Sequence, residues 1–381
     1  MARNRRSRLQ NAGWSALLTL SLFGCVEIFF RRFVPPADVE GIELDYNADL
    51  MWTLAERAAQ GIEVNSLGIR GPELDQSGHT RLLSLGDSSV FGDQVRYDQV
   101  FTTVAATTLG AAGRPVEPVI GAIPGYSTFQ ARRWYAQIAP TVRPAMVLIG
   151  NLWSDAIRRA YTDSEEHAWL LEQYGSWRPL NQLLRWPGRH LASVAWLQQA
   201  VHDTLKRRSE QLPRAQSGEH RVGWITDAAP QSPPPPGSGP TNPGAKAGSG
   251  GLAPTADAEL TQGEAVGVPR VPLTEYRENL LALVAAARQD GATPMLLLLP
   301  HPRDDASEAL PERYAAYREV MRGVATEQSV PLVDGERWFK EHPCDCERFA
   351  DAIHPNAAGH ATLADALVAT MTEAGLPQSP K

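Results

Sequence analysis

The sequence predicts an α/β fold in which helices cover both faces of a five-stranded parallel sheet. Five short apolar runs have the length and composition of buried parallel strands. A turn and a helix-like stretch follow each of these runs, and this alternation is typical of parallel sheets. With 381 residues and 43% apolar content, the chain can bury one large core plus appendages. The predicted strands are 81–85, 117–122, 145–150, 294–299 and 330–333.

Helices are predicted in the segments between and after these strands. Residues 100–113 read as a helix that glycine stops, and 273–292 form an amphipathic pattern with Gly291 near its end. The remaining helical stretches are 128–139, 311–328 and 356–375, the last of which closes the predicted domain at 76–375.

One segment interrupts the alternation of strand and helix. Between Pro230 and Pro254, fourteen of 25 residues are Pro or Gly. Such a composition buries too little apolar surface to offset the entropy of ordering, so we predict a disordered insertion at 208–268. Residues 156–205, ahead of it, carry four tryptophans, which favour a helical subdomain; a lid above an active site is the alternative.

The amino terminus predicts a membrane anchor. Residues 12–30 form an apolar span in which only Glu27 is charged, with four arginines before it and two directly after it. Nineteen helical residues cover roughly 28 Å, close to the thickness of the hydrocarbon core. The arginine excess places the tail 1–11 in the cytoplasm and residues 33–381 on the extracytoplasmic (periplasmic) side.

Two alternatives to an uncleaved anchor remain open. Leu22-Phe23-Gly24-Cys25 loosely resembles a bacterial lipobox, which would make Cys25 a lipidated amino terminus. A cleaved signal peptide is the other alternative, although no small-x-small cleavage site follows the apolar span.

Charge and cysteine usage exclude other classes of protein. The net charge is −7, and no basic stripe interleaved with aromatic residues points to nucleic acid as a partner. The three cysteines form no zinc-type pair, so we expect no structural metal. Cys344 and Cys346 form either a disulfide outside the cytosol or two inert thiols.

Polar residues stand where three predicted strands end. Gly86-Asp87-Ser88 follows the first strand, Gly125 lies in a turn after the second, and Gly150-Asn151 follows the third. Ligands of α/β sheets collect outside the carboxyl ends of the strands. Each residue also has a structural interpretation, because Asp and Ser cap helices and Gly serves turns.

Near the carboxyl terminus, Asp351 precedes His354 by three residues, and Pro355 follows. This spacing lets the carboxylate hold the proton on one ring nitrogen and leave the other nitrogen free as a base. A hydroxyl, an oriented histidine and oxyanion donors are the parts required for acyl transfer.

These motifs resemble those of the SGNH (GDSL) hydrolase family. Its block I is Gly-Asp-Ser, as in 86–88; its block II glycine matches Gly125; its block V is Asp-x-x-His-Pro, as in 351–355. The lead-in 31–75 contains "NSLGIRGPE", which is similar to membrane-anchored members. The resemblance covers 63–375 without the insertion and implies a three-layer, flavodoxin-like α/β/α fold.

Block III departs from the family pattern Gly-x-Asn-Asp. The chain reads Gly150-Asn151-Leu152-Trp153-Ser154-Asp155, so that either Asn151 or Ser154 takes the place of the family's asparagine. We favour Asn151, since it alone offers an amide donor near the strand end.

The resemblance implies a serine ester hydrolase with Ser88 as nucleophile, His354 as base and Asp351 as its orienting carboxylate. The oxyanion hole is then formed by the N–H groups of Ser88 and Gly125 and by the Asn151 amide. No cofactor or metal is expected, and the expected substrates are acylated glycans or lipid-linked esters outside the membrane. The alternatives are an O-acyltransferase of envelope glycans and a non-catalytic carbohydrate-binding or assembly protein on the same scaffold.

Overall fold

A computed structural model describes most of the chain outside the predicted insertion. The described residues are 2–33, 44–47, 49–54, 62–75, 80–159, 161–174, 191–194, 196, 267–306 and 308–377. They fall into two compact units, Met1–Val39 with Gln173–Arg214 and Glu40–Glu172 with Ala215–Lys381.

The strands are numbered in chain order. They are β1 Leu44–Asn47, β2 Met51–Leu54, β3 Thr80–Leu85, β4 Val116–Ile120, β5 Met146–Ile149, β6 Arg158–Arg159, β7 Val268–Pro269, β8 Thr293–Leu298 and β9 Leu332–Asp334.

The helices are numbered in the same way, over the described residues. They are α1 Ala2–Phe33, α2 Ser88–Phe91, α3 Phe101–Ala111, α4 Thr128–Val142, α5 Trp153–Ala156, α6 Asp163–Tyr174, α7 Leu273–Gln289, α8 Pro302–Asp305, α9 Glu312–Glu327, α10 Gly335–Glu341 and α11 Ala357–Glu373.

The central sheet has the strand order β4-β3-β5-β8-β9, and all neighbouring strands are parallel. Its five strands are the five predicted runs, with boundaries shifted by one or two residues, so the predicted five-stranded parallel sheet is confirmed. The chain passes from β3 to β4 on one side and then returns to β5 on the other. The crevice at the carboxyl ends of β3 and β5 is therefore the switch point where such sheets bind ligands.

Both faces of this sheet are covered. All four residues of β5 are buried, and because successive strand residues point to opposite faces, burial of all of them requires cover on both sides. The helices pack in two groups: α3 lies against α11, which also contacts α10, whereas α7 lies against both α4 and α9.

Two small antiparallel pairs accompany the sheet and were not predicted. Strands β1 and β2 form a hairpin within the segment interpreted as a lead-in. Strands β6 and β7 pair Arg159 with Val268, at the two ends of the long excursion between β5 and α7. The predicted insertion at 208–268 overlaps this pair at Val268, and residues 208–266 lie outside the described residues.

The predicted helical subdomain at 156–205 is described only in part. Helix α6 contains Trp169, in agreement with the helical spacing, and Trp196 packs against Phe30 at 5.4 Å between ring centroids. Trp177 and Trp186 lie outside the described residues.

Helix α1 contains the whole of the predicted span 12–30. Its Glu27 accepts hydrogen bonds from the backbone N–H groups of Ala192 and Ser193, and Cys25 is exposed as a free thiol. Among the described residues, no helix combines the length and the hydropathy of a membrane-spanning segment, so the predicted anchor is not confirmed. Of the two alternatives for the remaining cysteines, the structure has the Cys344–Cys346 disulfide.

Candidate active site

Ser88 is the first residue of α2, directly after β3. Asp87 caps this helix by accepting a hydrogen bond from the N–H of Ser89 at 3.1 Å. The turn is tight: a Cβ at Gly86 would lie 2.3 Å from Cγ2 of Val90, so only glycine fits there. The helix ends after one turn at Gly92, which adopts a left-handed conformation with φ 79°. Ser88 is therefore held, partly exposed, at the point where strand becomes helix.

Asp351 and His354 lie in the loop that precedes α11. One carboxylate oxygen of Asp351 accepts hydrogen bonds from the backbone N–H groups of Ile353 (3.0 Å) and His354 (2.8 Å), which closes a tight turn. The other oxygen lies 2.6 Å from Nδ1 of His354. Nε2 of His354 lies 2.7 Å from Oγ of Ser88. The structure thus brings the three residues together in the order serine, histidine, carboxylate.

The two members of this ion pair shift each other's pKa. Burial opposes ionisation of Asp351, but the hydrogen bond and charge of His354 outweigh it and lower the pKa of the carboxyl. Burial likewise opposes protonation of His354, yet the hydrogen bond and charge of Asp351, with smaller contributions from Asp93 and Asp87, raise the pKa of the imidazole. The protonated imidazole is therefore stabilised, as a base needs in a transition state.

Asp87 is fully buried beside this pair and connects two loops. Its carboxylate accepts a hydrogen bond from the backbone N–H of Ser154 in α5, in addition to the cap on Ser89. Burial raises the pKa of Asp87 to about 6, against the lowering effect of these hydrogen bonds.

Ser89 is buried and does not face the imidazole. Its hydroxyl donates to the carbonyl of Ile353 at 3.1 Å, next to His354. Of the two adjacent serines, Ser88 is thus the one within hydrogen-bond distance of His354.

Gly125 lies in a turn formed by residues 123–126. The N–H of Tyr126 donates to the carbonyl of Ile123 at 3.0 Å, and Gly125 has φ 76°. Proline at the second position and a positive φ at the third identify a type II turn, whose own hydrogen bond does not use the N–H of Gly125. The N–H of Ile123 donates to the carbonyl of Gly86 at 3.1 Å, which ties this turn to the loop before Ser88.

Asn151 is fully buried after β5 and contacts the same turn. Its side-chain amide donates to the carbonyl of Tyr126 at 3.0 Å, and its backbone carbonyl accepts from the hydroxyl of Tyr276 at 2.8 Å. Ser154, the alternative residue for block III, instead presents its backbone N–H to Asp87. Of these two side chains, Asn151 is the one bonded to the turn that contains Gly125.

Sequence reasoning missed Arg270 and Asp163. Arg270 donates to the carbonyl of Gly125 at 2.7 Å and forms a bidentate ion pair with Asp163, and both side chains are buried. Nothing local marks these residues: Arg270 lies just after the insertion, and Asp163 appears as the first residue of a helix. In the described part of the chain, no group of His, Cys, Asp and Glu side chains is arranged to hold a metal ion.

A family model supports the resemblance stated above. The GDSL-like lipase/acylhydrolase family matches residues 254–362, a region that includes Asp351 and His354 but not Ser88. A comparison with curated proteins found no match.

Similar solved structures have low identity to this chain. The lipase/acylhydrolase from Enterococcus faecalis is 12% identical, with a TM-score of 0.41 over 79% of this chain and 100% of its own. The acetyl xylan esterase AlAXEase is 11% identical, with a TM-score of 0.41 over 76% and 98%. A catalytic mutant of Axe2, an acetylxylan esterase from Geobacillus stearothermophilus, is 15% identical, with a TM-score of 0.40 over 78% and 95%. Similarity at this level carries no information about the substrate.

The matched region ends within α11, after the Asp-x-x-His-Pro motif. The family match therefore covers block V but not Ser88, whose Oγ lies 2.7 Å from Nε2 of His354. Over residues 254–362, which carry Asp351 and His354, this chain is similar to the GDSL-like lipase/acylhydrolase family.

Proposed function

We propose that the protein hydrolyses carboxylic esters with Ser88 as the nucleophile, His354 as the general base and Asp351 as the carboxylate that orients His354. One observation carries this proposal: His354 lies between Ser88 and Asp351, with Nε2 2.7 Å from the serine hydroxyl and Nδ1 2.6 Å from the carboxylate. These are hydrogen-bond distances, which a nucleophile and its base require.

In the first half of the reaction, Oγ of Ser88 attacks the ester carbonyl while Nε2 of His354 takes the hydroxyl proton. Asp351 holds the proton on Nδ1 and stabilises the imidazolium that forms. His354 then gives its proton to the leaving alcohol, and the acyl group stays on Ser88. In the second half, His354 activates a water that releases the acid and restores the serine.

The negative charge on the carbonyl oxygen needs donors near Ser88. We assign the N–H of Ser88 at the start of α2, the N–H of Gly125 and the amide of Asn151. Supporting this assignment, the turn bond leaves the N–H of Gly125 available, and the amide of Asn151 is bonded to the next residue, Tyr126. Removing one such donor typically costs about 100- to 1000-fold in turnover.

For the substrate and the location we extend the proposal to acylated glycans or lipid-linked esters outside the cytosol. The excess of arginines before residues 12–30 supports this location. A second supporting feature is the large apolar surface of α1, where side chains such as Trp14, Leu18 and Leu20 are more than 60% exposed.

The proposal is tested on the full-length protein with a fluorophosphonate probe, which reacts quickly only with an activated serine. We expect the wild type to be labelled by the probe and to hydrolyse an aryl acetate. Ser88→Ala should lose both the labelling and the hydrolysis. A panel of acetylated glycans then identifies the substrate class. A wild type that neither labels nor cleaves any ester would favour the non-catalytic scaffold instead.

A further inference from the structure

Three consecutive carbonyl groups in the turn at Gly125 each accept a hydrogen bond from a different distant side chain. Trp52 donates its indole N–H to the carbonyl of Pro124 at 3.1 Å. Arg270 donates to the carbonyl of Gly125 at 2.7 Å, and Asn151 donates to that of Tyr126 at 3.0 Å. Side chains from three separate parts of the chain thus hold the carbonyl groups of the turn in place.

The bond from Trp52 falls on the peptide group whose N–H is assigned to the oxyanion hole. The carbonyl of Pro124 and the N–H of Gly125 belong to one planar trans peptide, in which they point in opposite directions. A donor that fixes the carbonyl therefore also fixes the direction of the N–H.

This peptide has an alternative orientation. Type I and type II turns differ by a flip of their central peptide, and the flip reverses the N–H of the third residue. Glycine at that position populates positive and negative φ about equally, so Gly125 itself does not select the orientation. Pro124 followed by glycine favours the type II orientation. The bond from Trp52 adds to this preference and holds the peptide in the orientation in which φ of Gly125 is 76°.

Trp52 is firmly held in place to make this contact. It lies in β2, opposite Tyr46 in the β1–β2 hairpin, and is buried. Its own carbonyl accepts a hydrogen bond from the hydroxyl of Tyr126 at 2.6 Å, and the two rings meet edge to face at 5.9 Å. Trp52 and the turn therefore bind each other through two reciprocal hydrogen bonds.

We propose that Trp52 is a positioning residue for the oxyanion hole: its indole N–H holds the Pro124–Gly125 peptide in the orientation that presents the N–H of Gly125 to the substrate oxygen. The inference rests on the proposed ester hydrolysis at Ser88 and extends the site to the β1–β2 hairpin, which lies outside the family blocks.

The test is the variant Trp52→Phe, which removes the indole N–H but keeps an aromatic ring beside Tyr126. We expect kcat for an aryl acetate to fall by about 10- to 100-fold, less than the loss of a whole donor, with little change in KM. The rate constant of fluorophosphonate labelling falls in parallel, because the phosphonyl oxygen occupies the same hole.

The matched control is Trp134→Phe. Trp134 in α4 is also buried and donates its indole N–H to a backbone carbonyl, that of Gly121, at 2.8 Å. Both variants remove one buried indole–carbonyl bond, so a purely structural effect would lower the melting temperature in both and spare kcat equally. We expect kcat of Trp134→Phe to stay within about twofold of the wild type.

Equal kcat values for Trp52→Phe and the control would overturn the role of Trp52 while leaving the serine hydrolase intact. An inactive, unlabelled wild type would instead refute the proposed function itself. If Trp52→Phe does not fold, 3-benzothienylalanine at position 52 replaces the N–H by sulfur with the ring shape retained, and wild-type kcat in that protein overturns the proposal.

Discussion

The carboxylate of Asp87 accepts the backbone N–H of Ser154 at 3.4 Å and so joins the turn before Ser88 to the helix after β5. Because the same carboxylate caps α2, it fixes the nucleophile relative to the loop that carries Asn151. Asp87→Ala should lower the free energy of unfolding by about 1–2 kcal/mol, as loss of a cap does, and should also reduce kcat. Asp87→Asn keeps the acceptor for Ser89 and should be milder in both measurements. Wild-type kcat in Asp87→Ala would show that the link does not matter for catalysis.

Ser89→Ala is expected to separate the two adjacent serines. It removes the buried hydrogen bond to the carbonyl of Ile353, which should cost about 1–3 kcal/mol of stability because that carbonyl loses its partner. Ser88 keeps its contact with His354, so fluorophosphonate labelling and most of the activity should remain. The control is Ser88→Ala, which should lose labelling with little loss of stability. The opposite pattern would assign the nucleophile to Ser89.

The activity should depend on the ionisation of His354. Only the neutral imidazole accepts the serine proton, and the pKa of His354 is raised above its usual 6.5 by Asp351. We therefore expect kcat/KM to rise with pH through a value above 6.5. Asp351→Asn removes the carboxylate charge, so the rise of kcat/KM should shift to lower pH, and kcat should also fall. If kcat/KM of Asp351→Asn rises at the same pH as that of the wild type, His354 is excluded as the titrating group.

The same pair should make stability depend on pH with a defined sign. The raised pKa of His354 stabilises the fold below 6.5, and this contribution is lost as pH rises through the folded value. The lowered pKa of Asp351 stabilises the fold above 3.8, and this contribution is lost as pH falls through the folded value. Both contributions are present between these limits. His354→Ala should therefore be most destabilising, by urea unfolding, near pH 5.

Ionisation of Asp155 should destabilise the fold, whereas ionisation of Asp351 stabilises it. Asp155 is fully buried and accepts both the backbone N–H and the hydroxyl of Thr128 on one oxygen, while its other oxygen has no hydrogen-bond partner among the described residues. Burial raises its pKa to about 8, so the unfolded chain loses this proton first and the fold is destabilised as pH rises from 3.8 toward 8. Asp155→Asn keeps an acceptor for Thr128, and its stability should fall less between pH 5 and pH 9 than that of the wild type. An identical pH dependence in both proteins would contradict the buried ionisation.

The location of the protein remains a prediction of the sequence. If residues 12–30 anchor the chain uncleaved, the mature protein keeps its amino-terminal arginines and resists carbonate extraction from membranes. Intact mass distinguishes the alternatives: loss of residues 1–24 with a diacyl increment on Cys25 indicates a lipoprotein, whereas loss without it indicates a cleaved signal.

Local patterns in the sequence were sufficient to predict the central sheet and the major helices, and the motifs shared with the family singled out Ser88, Asp351 and His354. Buried parallel strands are near-continuous apolar runs, and Asp351 and His354 are only three residues apart, so both features are readable over short windows. Trp52 and Arg270 were not predicted, because their contacts with the turn span 72 and 145 residues. A tryptophan in a short strand and an arginine after an insertion have no local signature of such contacts.

The long segment between β6 and β7 separates Ser88, which precedes it in the chain, from Asp351 and His354, which follow it. A cut within 230–254 would leave β3, β4, β5 and Ser88 on one polypeptide and β8, β9, Asp351 and His354 on the other. The parallel pairing of β5 with β8 and the buried Asp163–Arg270 ion pair would both join the two pieces. Neither fragment alone contains a nucleophile and its base, so ester hydrolysis by such a split protein would report fragment complementation.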